Sequence, residues 1–317
     1  MSNLIEVTGL KKYFNTPAGR VHAVDDINIS IPQGETLGVV GESGCGKSTL
    51  GRVLLRLSEA TSGQVLFEGE DILKYSRAQM KQARTKMQII FQDPYSSLDP
   101  RMTVMDLIKE PLIINKTMKD RSQMNQYVLE LMDRVGLARR LVNSYPHELD
   151  GGRRQRIGVA RALAVRPKFI VCDEPVSALD VSIQAQILNL LMDLQEEMGL
   201  TYLFITHDLS VVRHISNRIM VMYLGQCIEM ASVEEIFENP LHPYTKALLN
   251  AIPKPDLSCR NTPMQTIKGE VTSPIDPKPG CRFASRCEFA SEKCLGADIK
   301  LEAISEDHMV ACRLYQH

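Results

Sequence analysis

The chain has 317 residues, 44% of them hydrophobic, enough for a large buried core. Lys and Arg total 37 against 38 Asp and Glu, a formal net charge of -1, so no overall cationic field argues for a nucleic-acid partner. No apolar run approaches the roughly 20 residues that cross a bilayer, and the N-terminal MSNLIEVTGLKKYF lacks the apolar core of a secretory signal. Eight cysteines in a chain this long do not make a disulfide scaffold, and a reducing, cytoplasmic compartment is expected.

From Ile5 to about Ala231, short apolar runs (ETLGVV, QVLFEG, KFIVCD, YLFITH, RIMVMYLG) alternate with longer helical patterns, which predicts an α/β fold with helices over a mainly parallel sheet. The first chemical motif follows ETLGVV. Gly41 and Gly46 bracket four residues ahead of Lys47 and Ser48, the pattern G-x-x-x-x-G-K-[ST] between a strand and a helical pattern. In GESGCGKST, the backbone of Gly41, Ser43, Gly44, Cys45, Gly46 and Thr49 is expected to cradle phosphate oxygens. Lys47 would add a full charge near the terminal phosphates, and Ser48 would offer its hydroxyl to Mg2+.

The segment from about Pro100 to His147 interrupts the alternation. VMDLIKEPLIIN and QYVLELMDRVGL space their apolar residues at helical period, so a helical insertion is predicted. Next, KFIVCDEP delivers Asp173 to a strand end, where a carboxylate can hold Mg2+, with Glu174 adjacent to orient and deprotonate an attacking water.

After about Ser232 the composition shifts. ENPLHPYTKALLNAIPKPD predicts one short amphipathic helix, VTSPIDPKPG a Pro-rich connector, and a small appendage follows. Cys281, Cys287, Cys294 and Cys312 cluster there, with five, six and seventeen residues between successive members. Four thiolates can close a zinc site or bind an iron–sulfur cluster, although paired C-x-x-C knuckles are lacking. Of the others, Cys45 fills a variable cradle position, Cys172 is a small strand residue, and Cys227 and Cys259 read as incidental.

The stretch ELDGGRRQRIGVARAL, Glu148 to Leu163, selects among phosphate-cradle families. With the motifs above it resembles the ATPase subunits of ABC transporters, whose signature is Leu-Ser-Gly-Gly-Gln, over residues 4 to about 232. The resemblance implies a P-loop NTPase of the ABC ATPase type over residues 1–232. Its parts would be a RecA-like core, a helical subdomain at about 100–165 and an antiparallel β subdomain, with an extension at 233–317. It also implies roles. Tyr13 would stack on adenine, Gln92 of IIFQD would be the Q-loop residue near Mg2+ and the water, Ser177 to Asp180 the D-loop, and His207 of FITHD the switch histidine. Leu149, Asp150, Gly151, Gly152 and Arg153 would meet the ATP held by a second ATPase subunit, and the helical insertion would take up the coupling helices of a permease.

Two positions depart from the family pattern, Asp150 for the usual Ser and Arg153 for the usual Gln. Asp is a good N-cap, but a carboxylate facing γ-phosphate would be repelled. One reading is a heterodimer whose partner supplies the usual signature, leaving one site altered or slow; the other is a tolerated variant with Arg153 compensating. NPLHPYTKALLNAIP resembles the C-terminal extension of dipeptide and oligopeptide importer ATPases, and GESGCGKSTLGR with LKKYF resembles the second of their two ATPase subunits.

The implied activity is ATP hydrolysis driving uptake, with two permease subunits and an extracytoplasmic substrate-binding protein as further partners. The implied location is peripheral, on the cytoplasmic face of the membrane. Related importers for nickel or oligosaccharides, or a soluble ABC ATPase outside transport, are the alternatives. The four-cysteine tail resembles that of peptide-importer ATPases, which favours a 4Fe-4S cluster over zinc, with unliganded thiols as the third possibility.

Overall fold

The structure, a computed structural model, describes residues 2–252 and 273–316; Cys259 lies outside the described residues. In chain order the elements are β1 (Asn3–Thr16), β2 (Gly19–Pro32), β3 (Thr36–Val40), α1 (Lys47–Leu54), β4 (Ser62–Phe67), β5 (Glu70–Asp71), α2 (Arg77–Lys86), β6 (Met87–Ile90), α3 (Pro94–Ser97), α4 (Val104–Asn115), α5 (Arg121–Arg134), α6 (Gly151–Leu163), β7 (Phe169–Asp173), α7 (Val181–Met198), β8 (Thr201–Ile205), α8 (Leu209–Ile215), β9 (Arg218–Tyr223), β10 (Gln226–Ser232), α9 (Val233–Glu238), α10 (Pro243–Asn250), β11 (Glu302–Ser305) and β12 (His308–Val310). They group into two compact units.

One unit comprises Met1–Leu4, Pro32–Glu35 and Lys74–Ile205. Its strands are parallel, with β7 between β6 and β8 and Phe169 facing Met87 on one side and Thr201 on the other. All five residues of β7 and of β8 are buried, as near-continuous apolar runs in a parallel sheet require. Between Ile90 and Phe169 the described residues form helices and turns. Thr103, Asp120 and Asp150 start α4, α5 and α6, each accepting a backbone N–H of the first turn that has no intrahelical partner.

The other unit comprises Ile5–Ile31, Thr36–Leu73 and Thr206–His317. One sheet runs β2-β1-β4-β5, with the β1–β4 and β4–β5 pairs antiparallel and a register break between Thr8 and Lys11. QVLFEG therefore lies in this antiparallel sheet and not in a parallel one, since β4 follows α1 and returns against β1. In the second set of strands β3 pairs parallel with β9, and β9, β10, β12 and β11 continue antiparallel. The β9–β10 turn is two residues, Leu224 and Gly225, both at positive φ (43 and 84), the conformation that tight hairpins need.

The extension belongs to this second unit, and β12 extends β10. Its anchor is Glu229 on β10, a fully buried carboxylate 2.7 Å from His308 Nε2 on β12. It also accepts the backbone N–H groups of Leu241 (2.6 Å) and His242 (2.9 Å) ahead of α10. Burial alone would raise the Glu229 carboxyl; these hydrogen bonds outweigh it and hold the group below its ordinary value near 4.5. The bond to Glu229 also outweighs burial at His308 and holds the imidazole above its ordinary 6.5, with Glu235 3.5 Å from its other nitrogen. Neighbouring His242 is pushed down to about 4 by burial and stays neutral.

The sign follows by linkage. A raised histidine contributes stability that is complete below 6.5 and is lost as pH rises through its folded value; a depressed carboxyl contributes above 4.5 and loses it on acidification. Amide protection at residues 308–310, taken relative to the intrinsic exchange rate at each pH, is therefore expected to be greatest between these values and to fall on either side. A His308→Gln protein should lose the alkaline limb, and equal protection from pH 5 to 8 in the unaltered chain would contradict this.

Candidate nucleotide-binding and hydrolysis site

In the second unit, buried β3 runs into the loop Gly41–Gly46 and then α1. The loop's glycines are demanded by sterics. Gly46 sits at φ 106, and a Cβ there would lie 1.9 Å from the Ala23 carbonyl oxygen; at Gly41 it would lie 2.2 Å from that of Met222. Gly46 caps α1 without a side-chain bond to its first N–H groups, the arrangement that leaves a helix N-terminus able to bind an anion. Ser43 and Gly44 are exposed, Cys45 is buried, and Ser48 and Thr49 are half-buried at the helix start. Lys47 is 5% exposed, its Nζ 2.7 Å from the Gly41 carbonyl and 3.0 Å from that of Glu42, so its charge stays at the loop.

Tyr13 on β1 is half-buried. Its ring stacks on His22, centroids 3.9 Å apart and 19° from parallel, so it offers a base one face at most. Its hydroxyl donates to Asp25, which also pairs with His22 at 3.1 Å. Burial and then Asp25 raise the Tyr13 phenol, while hydrogen bonds from Tyr13, His22 and Arg282 outweigh burial and lower Asp25. His22 and Asp25 were not singled out in the sequence, because their meaning is a contact across the β1–β2 pair and not a motif. In the same unit, Thr206 N–H donates to Val39 at 3.1 Å, exposed His207 follows, and Asp208 caps α8.

In the first unit, Asp173 ends β7 and is 4% exposed. Glu174 takes φ 49, a left-handed conformation costly for a non-glycine residue. Its N–H donates to Ile205 at 2.9 Å, and its carbonyl accepts from the Ser177 hydroxyl at 3.1 Å. Gln92, two residues past β6, donates through Nε2 to Glu174 Oε2 at 2.7 Å. The fold thus brings together two residues 82 positions apart that the sequence marked for one water. A carboxylate so held has a fixed direction, as a general base requires.

The signature segment lies in the same unit. Leu149 is buried, and Asp150 caps α6 by accepting from Arg153 N–H at 2.8 Å and pairs with the Arg153 guanidinium at 3.3 Å. Gly151 and Gly152 allow close approach of the next segment, since a Cβ on Gly152 would lie 2.6 Å from the Ile183 side chain and one on Gly151 3.1 Å from Leu179. Exposed Asp180 precedes α7.

The four tail cysteines line one cavity of about 20 Å3 together with His242, whose buried Nε2 has no hydrogen-bond partner. The expected iron–sulfur cluster gains no support from this arrangement. Among the described residues no group of three or more His, Cys, Asp or Glu is placed to hold a metal ion, and the cavity has room for about one water. Burial pushes the Cys281 thiol up to about 11 and raises Cys287 and Cys312, which favours neutral thiols in this packing. Cys172 and Cys227 are buried strand residues, and among the described residues no helix is long and apolar enough to cross a membrane.

Residues 24–177 match the family described as ABC transporter, and residues 228–294 the oligopeptide/dipeptide transporter C-terminal region. The oligopeptide transport ATP-binding protein OppF of Bacillus subtilis is 60% identical over 80% of this chain and 83% of that protein. OppF of Salmonella typhimurium is 48% identical over 98% of this chain and 95% of its own. Among solved structures, a dimeric ATP-binding cassette in a post-hydrolysis state bound to ADP and Pi is similar at TM-score 0.67 and 28% identity, covering 72% of this chain and 98% of that one. The fold class expected from the sequence is the fold found.

Proposed function

We propose a role from this premise: the chain belongs to the ATP-binding proteins of ABC transporters, in their oligopeptide and dipeptide branch. It hydrolyses ATP, and the uptake it drives is that of di- or oligopeptides through a separate permease served by a substrate-binding protein. Support for the peptide assignment is the C-terminal region after β10, which a nickel or oligosaccharide role or a soluble ATPase outside transport does not specifically account for.

The observation that carries the chemistry is the Gln92–Glu174 pair beside a buried aspartate. Glu174 accepts the proton of the attacking water, Gln92 holds the carboxylate and the water in register, and Lys47 with the cradle N–H groups binds the β and γ phosphates. His207 donates to the γ-phosphate, Tyr13 packs on the base, and Ser177, the first residue of the Ser177–Asp180 segment, donates to the Glu174 carbonyl. Ser48, Gln92 and Asp173 are the residues that the family resemblance gives as oxygen donors to Mg2+, a hard divalent cation that would neutralise charge on the phosphate oxygens.

ATP binding closes this chain against a second ATPase subunit whose nucleotide meets Leu149 to Arg153, and the pair sits peripherally on the cytoplasmic face of the membrane. That the partner is an unlike subunit is supported by Asp150; that Asp150 is simply tolerated is supported by its pairing with Arg153 within this chain. An Asp150→Ser protein in the assembled transporter should turn over ATP at a changed rate if Asp150 faces the partner's nucleotide. An unchanged rate would favour tolerance.

For the tail cysteines, their spacing supports an iron–sulfur cluster ahead of zinc, and the small cavity supports free thiols. Iron near four atoms per chain in an air-free preparation would bear out the cluster, and stoichiometric zinc without iron would remove it. Co-purifying the chain with its permease and binding protein, and identifying the ligand the latter retains, tests the substrate; a retained sugar or metal ion and no peptide would overturn it.

A further inference from the structure

We propose that the C-terminal extension is part of the nucleotide pocket: Arg286 holds and neutralises Glu42 within the phosphate cradle, and losing that pairing weakens triphosphate binding. The inference rests on residues 41–49 being the ATP cradle.

Glu42 is the second residue of a loop whose work is to gather negative charge, so its own carboxylate there is a liability. It is also only partly exposed, 24% at the side chain, where solvent screens it incompletely. Arg286 answers it with two parallel bonds, Nη1 to Oε2 at 2.9 Å and Nη2 to Oε1 at 3.2 Å, from a side chain 6% exposed. A planar guanidinium fixes a carboxylate in direction as well as charge, which an ammonium does not.

The platform under this pair is aromatic. Tyr223 ends β9, Tyr244 opens α10 and Phe283 lies just before Arg286, with ring centroids 4.7 to 5.4 Å apart. Arg286 reaches the Tyr223 hydroxyl at 3.2 Å, and the Tyr244 hydroxyl accepts the Glu42 backbone N–H at 2.9 Å. Extension residues thus fix both the backbone and the side chain of the same cradle residue.

A second arm reaches the Tyr13 side of this unit. Arg282 donates to Asp25, the carboxylate that holds Tyr13 and His22, and to the Leu224 carbonyl of the β9–β10 turn. That turn joins the arms, because Gly225 N–H donates to Cys45 of the cradle at 2.8 Å and its carbonyl accepts Asp25 N–H at 2.8 Å. Pro274 and Asp276 exchange backbone bonds with His22 and Arg20 on β2. A tail that only recruited a partner would not need to grip the cradle and the base-side tyrosine together.

The test is ATP affinity of the full-length chain with Mg2+, read by calorimetry beside the melting temperature. Arg286→Met should bind ATP about tenfold more weakly, because the Glu42 carboxylate is left uncompensated within the cradle, and Arg286→Lys should fall between it and the unaltered chain. The double variant Glu42→Gln with Arg286→Met removes the unpaired charge and should recover to within about threefold of the unaltered chain. A purely structural role for Arg286 would give no such rescue. Affinity of Arg286→Met within about twofold of the unaltered chain, or a double variant as weak as the single one, would overturn the inference. An unaltered chain that fails to bind ATP at all would instead remove the cradle reading beneath it.

Discussion

A Glu174→Gln protein is expected to bind ATP with its affinity intact and to lose turnover by roughly 100- to 10,000-fold, the range that general-base catalysis spans. The substitution is nearly isosteric. It keeps an amide oxygen that can accept from Gln92, so the 2.7 Å contact and the backbone at φ 49 have little reason to change, while the proton acceptor is gone. Steady-state phosphate release and nucleotide binding, measured on one preparation, separate the two effects. Turnover within about tenfold of the unaltered protein would dismiss Glu174 as the base. Loss of binding alongside turnover would show that the residue serves the fold and not the proton transfer.

Gly46→Ala should have the opposite profile, abolishing ATP binding while the chain still folds. A methyl group there would sit 1.9 Å from the Ala23 carbonyl oxygen, a backbone atom that cannot rotate away, and the residue would have to hold φ 106. The loop must therefore move, and with it the start of α1 and the ammonium of Lys47, 2.7 Å from Gly41 O in the native arrangement. ATP affinity should fall at least about 100-fold, since the N–H groups that would cradle phosphate act together and are displaced together. Measured affinity within about threefold of the native value, with a normal melting temperature, would mean that the loop is not a nucleotide cradle.

How much of this was legible in the sequence depends on how local each feature is. The cradle is contiguous: a buried strand, glycines at fixed offsets and a lysine are one short text, and Asp173–Glu174 after KFIVC is another. The identity of α6 and its cap was equally readable, because the Asp150–Arg153 pair spans one helical turn. Gln92 lies 82 residues from Glu174; its role near the water is implied only by family resemblance, and its hydrogen bond to Glu174 has no signal in the sequence. Glu174's left-handed backbone left no trace, since glutamate gives no sign of positive φ.

The tail is the least legible part of the sequence. Cysteine spacing drew attention to a ligand, whereas the residues that tie the extension to its unit are Glu229, Arg282, Arg286 and His308, whose partners lie up to 257 residues away. One signal was available: AISEDHMV holds two short runs around a Glu306–Asp307 turn, and the structure makes it the hairpin β11–β12. Tyr13 likewise looked like a free ring for a base because its neighbour His22 sits across a strand pair, where sequence proximity says little.

This chain converts ATP hydrolysis into peptide uptake. The direct measurement is peptide accumulation in proteoliposomes holding the permease, both ATPase subunits and the binding protein, with Mg-ATP supplied on the side of this chain. Accumulation that requires hydrolysable ATP and disappears with Glu174→Gln is the predicted result. Accumulation that proceeds equally with Glu174→Gln, or ATP hydrolysis that never moves peptide, would contradict it.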